Sequence, residues 1–253
     1  MNEKVNNVIK TFLSGYVDKD YFLGAILTGS YATGNNDANS DIDIFIIAKD
    51  SINWRERGNK LIDGYLVEYF INPVRQIDKE LNESTLDNNM STVMMFKNSK
   101  ILYDNFGMVK SLVDKANDKF KQDIDNISDY QYKMNCYSVW NSFDELDSKY
   151  KNNEDIDYSY YIFLNETINA YFRNNRIPLL PINKIEKILM NDDFRKRYQL
   201  KKLPNKEFLD LLIKCFKEKD YNKNYFDAKD LYIYFMNNSK NFDINDFAVR
   251  SFI

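Results

Sequence analysis

The feature that most constrains this chain is a pair of aspartates, Asp41 and Asp43, at the head of an apolar run. The run from Ile42 to Ala48 is almost continuously apolar, which predicts a buried β-strand. Because side chains alternate along a strand, both carboxylates point to one face of the sheet. Two such close carboxylates repel each other unless cations neutralise them. Magnesium prefers oxygen ligands, so the pair predicts a magnesium site at the edge of a sheet.

A glycine-containing turn precedes the aspartates. The chain has only seven glycines, and three of them fall between residues 24 and 34. An apolar run that predicts a strand over residues 21–27 ends at Gly29-Ser30. Backbone N–H groups exposed at such a turn can receive a phosphate, and Ser30 adds a hydroxyl group. Gly29 and Ser30 are therefore predicted to bind a phosphate group.

A third acidic residue, Glu68, interrupts an otherwise apolar and aromatic strand predicted over residues 64–71. A charge there is unfavourable unless it is paired or bound to a metal. Glu68 is therefore predicted to be a third metal ligand, and the alternative is a solvated charge on an edge strand. Two metal ions about 3.5–4 Å apart can hold the attacking and leaving oxygens of an in-line displacement.

Composition excludes several classes of enzyme and partner. The chain contains no histidine, which removes Ser-His-Asp and Cys-His catalysis and histidine zinc sites. Neither a GxxxxGK[ST] nor a GxGxxG motif is present. The 35 basic and 38 acidic residues give a net charge of −3, which disfavours general binding of nucleic acid. Two isolated cysteines and the lack of a long apolar segment predict a cytoplasmic protein with no membrane association.

The periodicity of apolar residues changes near residue 122, which predicts two domains. Residues 1–122 alternate between strand and helix patterns, and residues 123–253 show helical periodicity and contain no glycine. We therefore predict an α+β fold, with a small mixed-sheet domain followed by an all-helical bundle. The predicted helices are 3–13, 73–81, 90–96, one ending at 120, 125–149, 157–174, 182–190, 205–217 and 227–236. The predicted strands are 21–27, 42–48, 64–71 and 101–103.

The stretch from Gly24 to Gly34, followed by Ser40-Asp41-Ile42-Asp43-Ile44-Phe45, resembles the signature of the polymerase-β-type nucleotidyltransferase superfamily. A weaker likeness to the two-domain bacterial aminoglycoside and lincosamide nucleotidyltransferases includes residues 101–104 and Lys184 after Pro181. The resemblance implies that Asp41, Asp43 and Glu68 ligate magnesium and act in catalysis. It also implies that Gly29 and Ser30 hold the triphosphate. Many relatives carry an arginine before the aspartates, whereas residues 31–40 here contain no basic side chain.

The resemblance implies transfer of a nucleoside monophosphate, AMP from ATP, to a hydroxyl group of a small molecule, with two magnesium ions and release of pyrophosphate. It gives no oligomeric state. Lys184 either contacts the triphosphate or is an ordinary solvent-facing lysine. Glu145 and Glu166 are candidates for a general base or for binding a cationic acceptor such as an aminoglycoside, and a plain acidic surface is the alternative. Two other functions stay open, namely nucleotidylation of a protein target, as in toxin–antitoxin pairs, and nucleotide binding by a weakly active regulator.

Overall fold

The computed structural model describes residues 3–84, 89–179, 182–217 and 220–250, so Pro181 lies outside the described residues. The chain divides into two compact units. The first runs to Asp123 and includes Arg197–Gln199, and the second contains the rest of the chain from Ile124. The first unit carries a mixed sheet, and the described part of the second is helical, which confirms the predicted α+β class.

The sheet of the first unit has five strands in the order β3-β4-β2-β1-β5. The strands are β1 Phe22–Thr28, β2 Ile42–Ala48, β3 Glu56–Ile62, β4 Tyr65–Pro73 and β5 Lys100–Asp104. The central pair β2 and β4 is parallel, and the other three pairs are antiparallel. The sheet is therefore mixed, and β2 lies between β1, which ends just before Gly29, and β4, which carries Glu68 near its start.

In the described part of the first unit, five helices accompany this sheet. They are α1 Glu3–Leu13, α2 Gly29–Thr33, α3 Val74–Glu83, α4 Ser91–Lys97 and α5 Met108–Lys121. One face of the sheet packs against α1, whose buried residues include Val8 and Phe12. The other face carries Phe45 and Ile47 and packs against α3, α4 and α5. Because strand residues alternate, Asp43 continues the row of Phe45 and Ile47 on the second face.

The sequence prediction missed strand β3. Its sequence is polar, and most of its side chains are exposed, as expected of an edge strand without an apolar face. It is joined to β4 by Asp63-Gly64, whose φ angles are 48° and 81°. Positive φ at both residues is typical of the type I′ turns that connect tight hairpins. The Asp-Gly pair was therefore the signal that could have revealed β3.

The second unit contains α6 Asp129–Lys151, α7 Asp157–Asn174, α8 Ile182–Met190, α9 Asp192–Arg197, α10 Lys206–Lys217, α11 Tyr221–Asn237 and a short 3₁₀ turn, Ile244–Asp246. The prediction that α6 begins at residue 125 was wrong. Ser128 Oγ accepts a hydrogen bond from the Gln131 backbone N–H, and the Gln131 side chain accepts one from the Ser128 backbone N–H, each at 3.1 Å. This capping box sets the start of α6 at Asp129. None of the described helices combines the length and apolar character that crossing a membrane requires.

A stability prediction follows from Gly24 in β1. A Cβ atom there would lie 2.4 Å from the Tyr103 carbonyl oxygen and 2.4 Å from Val109 Cγ2. We expect Gly24→Ala to lower the free energy of unfolding by about 1–3 kcal/mol, because β5 and α5 must shift. Chemical denaturation followed by circular dichroism measures the change.

The matched control is Gly15→Ala, whose new Cβ would meet only the Phe12 carbonyl oxygen at 3.6 Å, an ordinary contact. We expect this variant to unfold within about 0.5 kcal/mol of the wild type, as surface substitutions usually do. Equal stabilities for the two variants would contradict the close packing of β1 against β5 and α5.

Candidate active site

Asp41, Asp43 and Glu68 come together at one end of the sheet. Asp43 on β2 is the register partner of Glu68 on the parallel strand β4. One carboxylate oxygen from each of the three residues lies within 4.8 Å of the others, and all three side chains are half-buried. Three acidic groups, which we call the carboxylate cluster, are thus concentrated from β2, from β4 and from the residue just before β2.

The buried sheet next to the carboxylate cluster holds it in place. Phe45 and Phe70, the next pair along the same face, are register partners whose rings stack with centroids 5.8 Å apart. On the other side of β2, Thr28 pairs with Asp43 and is 3 % exposed. Its hydroxyl group donates a hydrogen bond to the Met95 carbonyl in α4 at 3.1 Å. The acidic end of the sheet is therefore fixed by packing and by hydrogen bonding.

The Gly29 backbone lies directly against the carboxylate of Asp43. Gly29 has φ of +66°, and a Cβ atom there would lie only 1.9 Å from Asp43 Oδ2. Both its backbone conformation and its surroundings therefore require glycine. The chain then forms α2, a single short helix, where the sequence suggested only a turn and loop. Ser30 is half-buried in the first turn of α2, one residue from this contact.

Arg57 on β3 is a residue of the site that the sequence analysis missed. Its Nε donates a hydrogen bond to Glu68 Oε1 at 3.1 Å, and its Nη2 donates to the same oxygen. The guanidinium also lies over the ring of Phe70, 4.9 Å from the ring centre. The sequence analysis did not predict β3, so it could not predict the β3–β4 register that places Arg57 on the same face of the sheet as Glu68. Glu68 thus has a cationic partner on the neighbouring edge strand.

A cleft of about 790 Å³ adjoins the carboxylate cluster and has Asp41 among its lining residues. The other lining residues come from the loop 36–40, from Tyr31, and from the β3–β4 hairpin at 61 and 64–66. Burial raises the pKa of Tyr31, and the neighbouring Tyr65 and Asp37 raise it further. Tyr31 therefore remains protonated at neutral pH and keeps a hydroxyl donor on this wall of the cleft.

Glu145 and Glu166 lie together in the second unit. Both line a cleft of about 500 Å³ whose other lining residues come from α6 and α7, among them Tyr137 and Tyr158. Glu145 is exposed and forms an ion pair with Lys149 at 3.5 Å. Lys184, the third predicted residue of this unit, is half-buried in the first turn of α8. The roles of these three residues stay predictions.

The donor set of the carboxylate cluster fits a small divalent cation. All three donors are carboxylate oxygens, and they converge within 4.8 Å. Hard cations such as magnesium bind through a few carboxylates and complete their coordination with water and substrate phosphates. Nitrogen or sulfur donors, which zinc and copper favour, are absent from this cluster.

One family of known proteins matches part of this chain. A family model described as a nucleotidyltransferase domain matches residues 9–102, which include the carboxylate cluster, Gly29 and Ser30. No curated protein sequence matches the chain. Among solved structures, a nucleotidyltransferase-like protein from Exiguobacterium sibiricum is similar, with 10 % sequence identity and a TM-score of 0.46. That similarity covers 92 % of this chain and 74 % of the other.

A prediction tests the contact between Gly29 and Asp43. We expect Gly29→Ala to weaken binding of a divalent cation by about 10–100-fold, because the new Cβ displaces the Asp43 carboxylate. Titration calorimetry with Mg²⁺ and with Mn²⁺, together with a thermal unfolding curve, provides the measurement.

Gly34→Ala is the matched control, because Gly34 has φ of +74° and open space around its Cα. That variant carries the same backbone strain without touching Asp43, so its cation affinity should stay near the wild-type value. Equal losses in both variants would show that backbone strain, and not the contact with Asp43, controls the cluster.

Proposed function

We propose that the protein is a magnesium-dependent adenylyltransferase, because the model of a nucleotidyltransferase domain matches residues 9–102. It transfers AMP from ATP to a hydroxyl group of a small molecule and releases pyrophosphate. The observation that carries the proposal is the convergence of Asp41, Asp43 and Glu68 within 4.8 Å beside the Gly29 turn. The choice of ATP and of a small acceptor follows the sequence resemblance, and the proposed cytoplasmic location follows the two isolated cysteines and the lack of a long apolar segment.

Each residue of the cluster has a defined part in this proposal. Asp41 and Asp43 supply the oxygen ligands, and Glu68 supplies either a third ligand or the base that takes the acceptor proton. These residues would hold magnesium, which would supply positive charge against the phosphates. The acceptor oxygen forms a bond to the α-phosphorus while the bond to the β-phosphate oxygen breaks, and pyrophosphate departs. Positioning and charge neutralisation then account for the rate, without a covalent enzyme intermediate.

The nucleotide has a suitable place beside the cluster. A volume of about 790 Å³ lies within the range of known ligand sites, which is roughly 300–1,000 Å³. We propose that the Gly29-Ser30 turn binds the phosphates and that Tyr31 and Tyr65 border the nucleoside. A backbone without a side chain at Gly29 allows the phosphates to approach both the turn and Asp43. Lys184 is proposed to add a positive charge for the triphosphate.

The acceptor is proposed to bind in the cleft of the second unit. Two carboxylates, Glu145 and Glu166, share this cleft with the aromatic rings of Tyr137 and Tyr158. Acidic groups attract amino groups, and aromatic faces pack against sugar rings or hold cations. This chemistry favours a hydroxylated acceptor with positive charge, of which aminoglycoside antibiotics are an example. One of the two glutamates could also take the acceptor proton in place of Glu68.

A first prediction concerns the aspartates. We expect Asp41→Asn and Asp43→Asn to keep the fold but to lower turnover about a thousandfold or more, equal to roughly 4 kcal/mol of barrier. A pyrophosphate-release assay with ATP, Mg²⁺ and a panel of aminoglycosides and lincosamides measures the rate. Mass spectrometry of the products should show a gain that matches AMP.

Asp20→Asn is the charge-matched control, because Asp20 is an exposed residue of the same unit that lies outside the carboxylate cluster. It should retain wild-type turnover. Near-normal transfer by both cluster variants would refute the metal-ligand assignment. Addition of AMP to proteins in a lysate, with none to small acceptors, would favour the protein-target alternative.

A second prediction concerns the acceptor cleft. We expect Glu145→Gln and Glu166→Gln each to raise the KM for a cationic acceptor roughly fivefold, because each removes one attractive charge from the cleft. The KM for ATP should stay unchanged. Steady-state kinetics at two salt concentrations tests this, with Glu186→Gln, an exposed glutamate of α8, as the control. Unchanged acceptor KM in both cleft variants would place the acceptor elsewhere.

A further inference from the structure

We propose that Arg57 is a reversible counter-ion of the carboxylate cluster. In the metal-free protein, Arg57 neutralises Glu68. When magnesium binds, Arg57 leaves Glu68 and then binds the triphosphate. This inference rests on the proposed function, because it assigns to Arg57 the phosphate-binding charge that residues 31–40 lack. Arg57 acts as a positioning and phosphate-binding residue that the nucleotidyltransferase motif does not include.

The register of the β3–β4 hairpin places Arg57 at the cluster. Arg57 pairs with Phe70, and Glu68 lies two residues earlier on β4, so all three side chains lie on the same face of the sheet. The Nε–Oε1 distance of 3.1 Å and the second N–H contact to Oε1 show a direct charge-assisted pair. The Phe70 ring, 4.9 Å from Arg57 Cζ, supports the guanidinium from below.

The ion pair between Arg57 and Glu68 is weak enough for a cation to replace the arginine. The Arg57 side chain is 70 % exposed, whereas that of Glu68 is 20 % exposed. An ion pair with such an exposed partner is weak, because water competes for the guanidinium and salt screens the attraction. A divalent cation gains contacts to three carboxylate oxygens at once, whereas the Arg57 guanidinium donates to one carboxylate oxygen, Glu68 Oε1. Cation binding therefore displaces Arg57 from Glu68 without breaking any buried contact of the arginine.

The displaced guanidinium remains tethered beside the cluster, where the phosphates of a metal-bound nucleotide lie. The other basic residues near this strand have different partners. The ammonium group of Lys60 lies over Phe12 and Tyr16 on the opposite face of the sheet, 5.6 and 5.0 Å from the ring centres. Arg55 pairs with Glu80 at 3.8 Å. Arginine also binds phosphate through two parallel N–H groups, which suits Arg57 to this second position.

Titration calorimetry on the full chain tests the exchange in two steps, with Arg57→Gln and the control Arg55→Gln. Arg55→Gln removes the same charge two residues away and leaves the Glu68 partner in place. In nucleotide-free protein, Arg57→Gln should bind Mg²⁺ about two- to fivefold more tightly than the wild type, because a competing weak ion pair is lost. At saturating Mg²⁺, it should bind a non-hydrolysable ATP analogue about tenfold more weakly, because a charge-assisted phosphate contact is lost. Arg55→Gln should change neither value.

A second variant separates charge from geometry. Arg57→Lys keeps the positive charge but loses the pair of parallel N–H groups, so its ATP-analogue affinity should fall between those of the wild type and Arg57→Gln. Thermal unfolding confirms that each variant is folded. Arg57→Lys decides the question if Arg57→Gln does not fold.

The two opposite shifts distinguish the exchange from a structural role. Weaker Mg²⁺ binding by Arg57→Gln, an unchanged ATP-analogue affinity, or equal shifts in Arg55→Gln would each overturn the inference. An Arg57→Lys variant that binds the ATP analogue as tightly as the wild type would also overturn the inference. Failure of the wild type to bind the ATP analogue with Mg²⁺ would instead overturn the proposed function. If the wild type binds the ATP analogue and transfers AMP, and Arg57→Gln has the same Mg²⁺ and ATP-analogue affinities as the wild type, the inference is overturned and the proposed function stands.

Discussion

The mutual repulsion of Asp41, Asp43 and Glu68 is the constraint on which the first unit depends. Their oxygens lie within 4.8 Å of one another, an arrangement that a flexible chain would avoid. The sheet holds it because the neighbouring rows on both faces are buried and packed against helices. Burial of those rows supplies the free energy that keeps three like charges together, so the stability of the sheet and the reactivity of its acidic end are linked.

Two contacts to the carboxylate cluster explain why its surroundings look unusual. Gly29 approaches Asp43 so closely that no side chain fits at this position. Arg57 pairs with Glu68 from an edge strand that is otherwise polar and exposed. The first contact is rigid and is fixed by backbone conformation. The second contact is exposed and weak. The Asp43 side of the cluster is therefore fixed, and the partner of Glu68 can be exchanged.

Most of the regular elements could be predicted from the periodicity of apolar residues. The predicted first and last residues of α1 and β2 are the same as those in the structure. The prediction works because each of these elements buries one or both faces against the core, which leaves a clear apolar pattern. Strand β3 lacks such a face, and its existence depends on pairing with β4 through the Asp63-Gly64 turn. The short helix α2 escaped prediction because five residues carry too little periodicity. The start of α6 depended on the Ser128 capping box, a local signal that apolar periodicity does not contain.

The sequence by itself determined the chemistry of the candidate site. The site is encoded by three local patterns, namely two aspartates at strand spacing, a glycine before a serine, and an isolated glutamate in an apolar strand. Each pattern limits its residues to one face of the sheet or to one backbone conformation. Only the tertiary structure decided which of these residues meet, because the register between β2 and β4 and the contact between Gly29 and Asp43 join distant parts of the chain. The partnership of Arg57 with Glu68 likewise depends on a hairpin register, which no single strand carries in its own sequence.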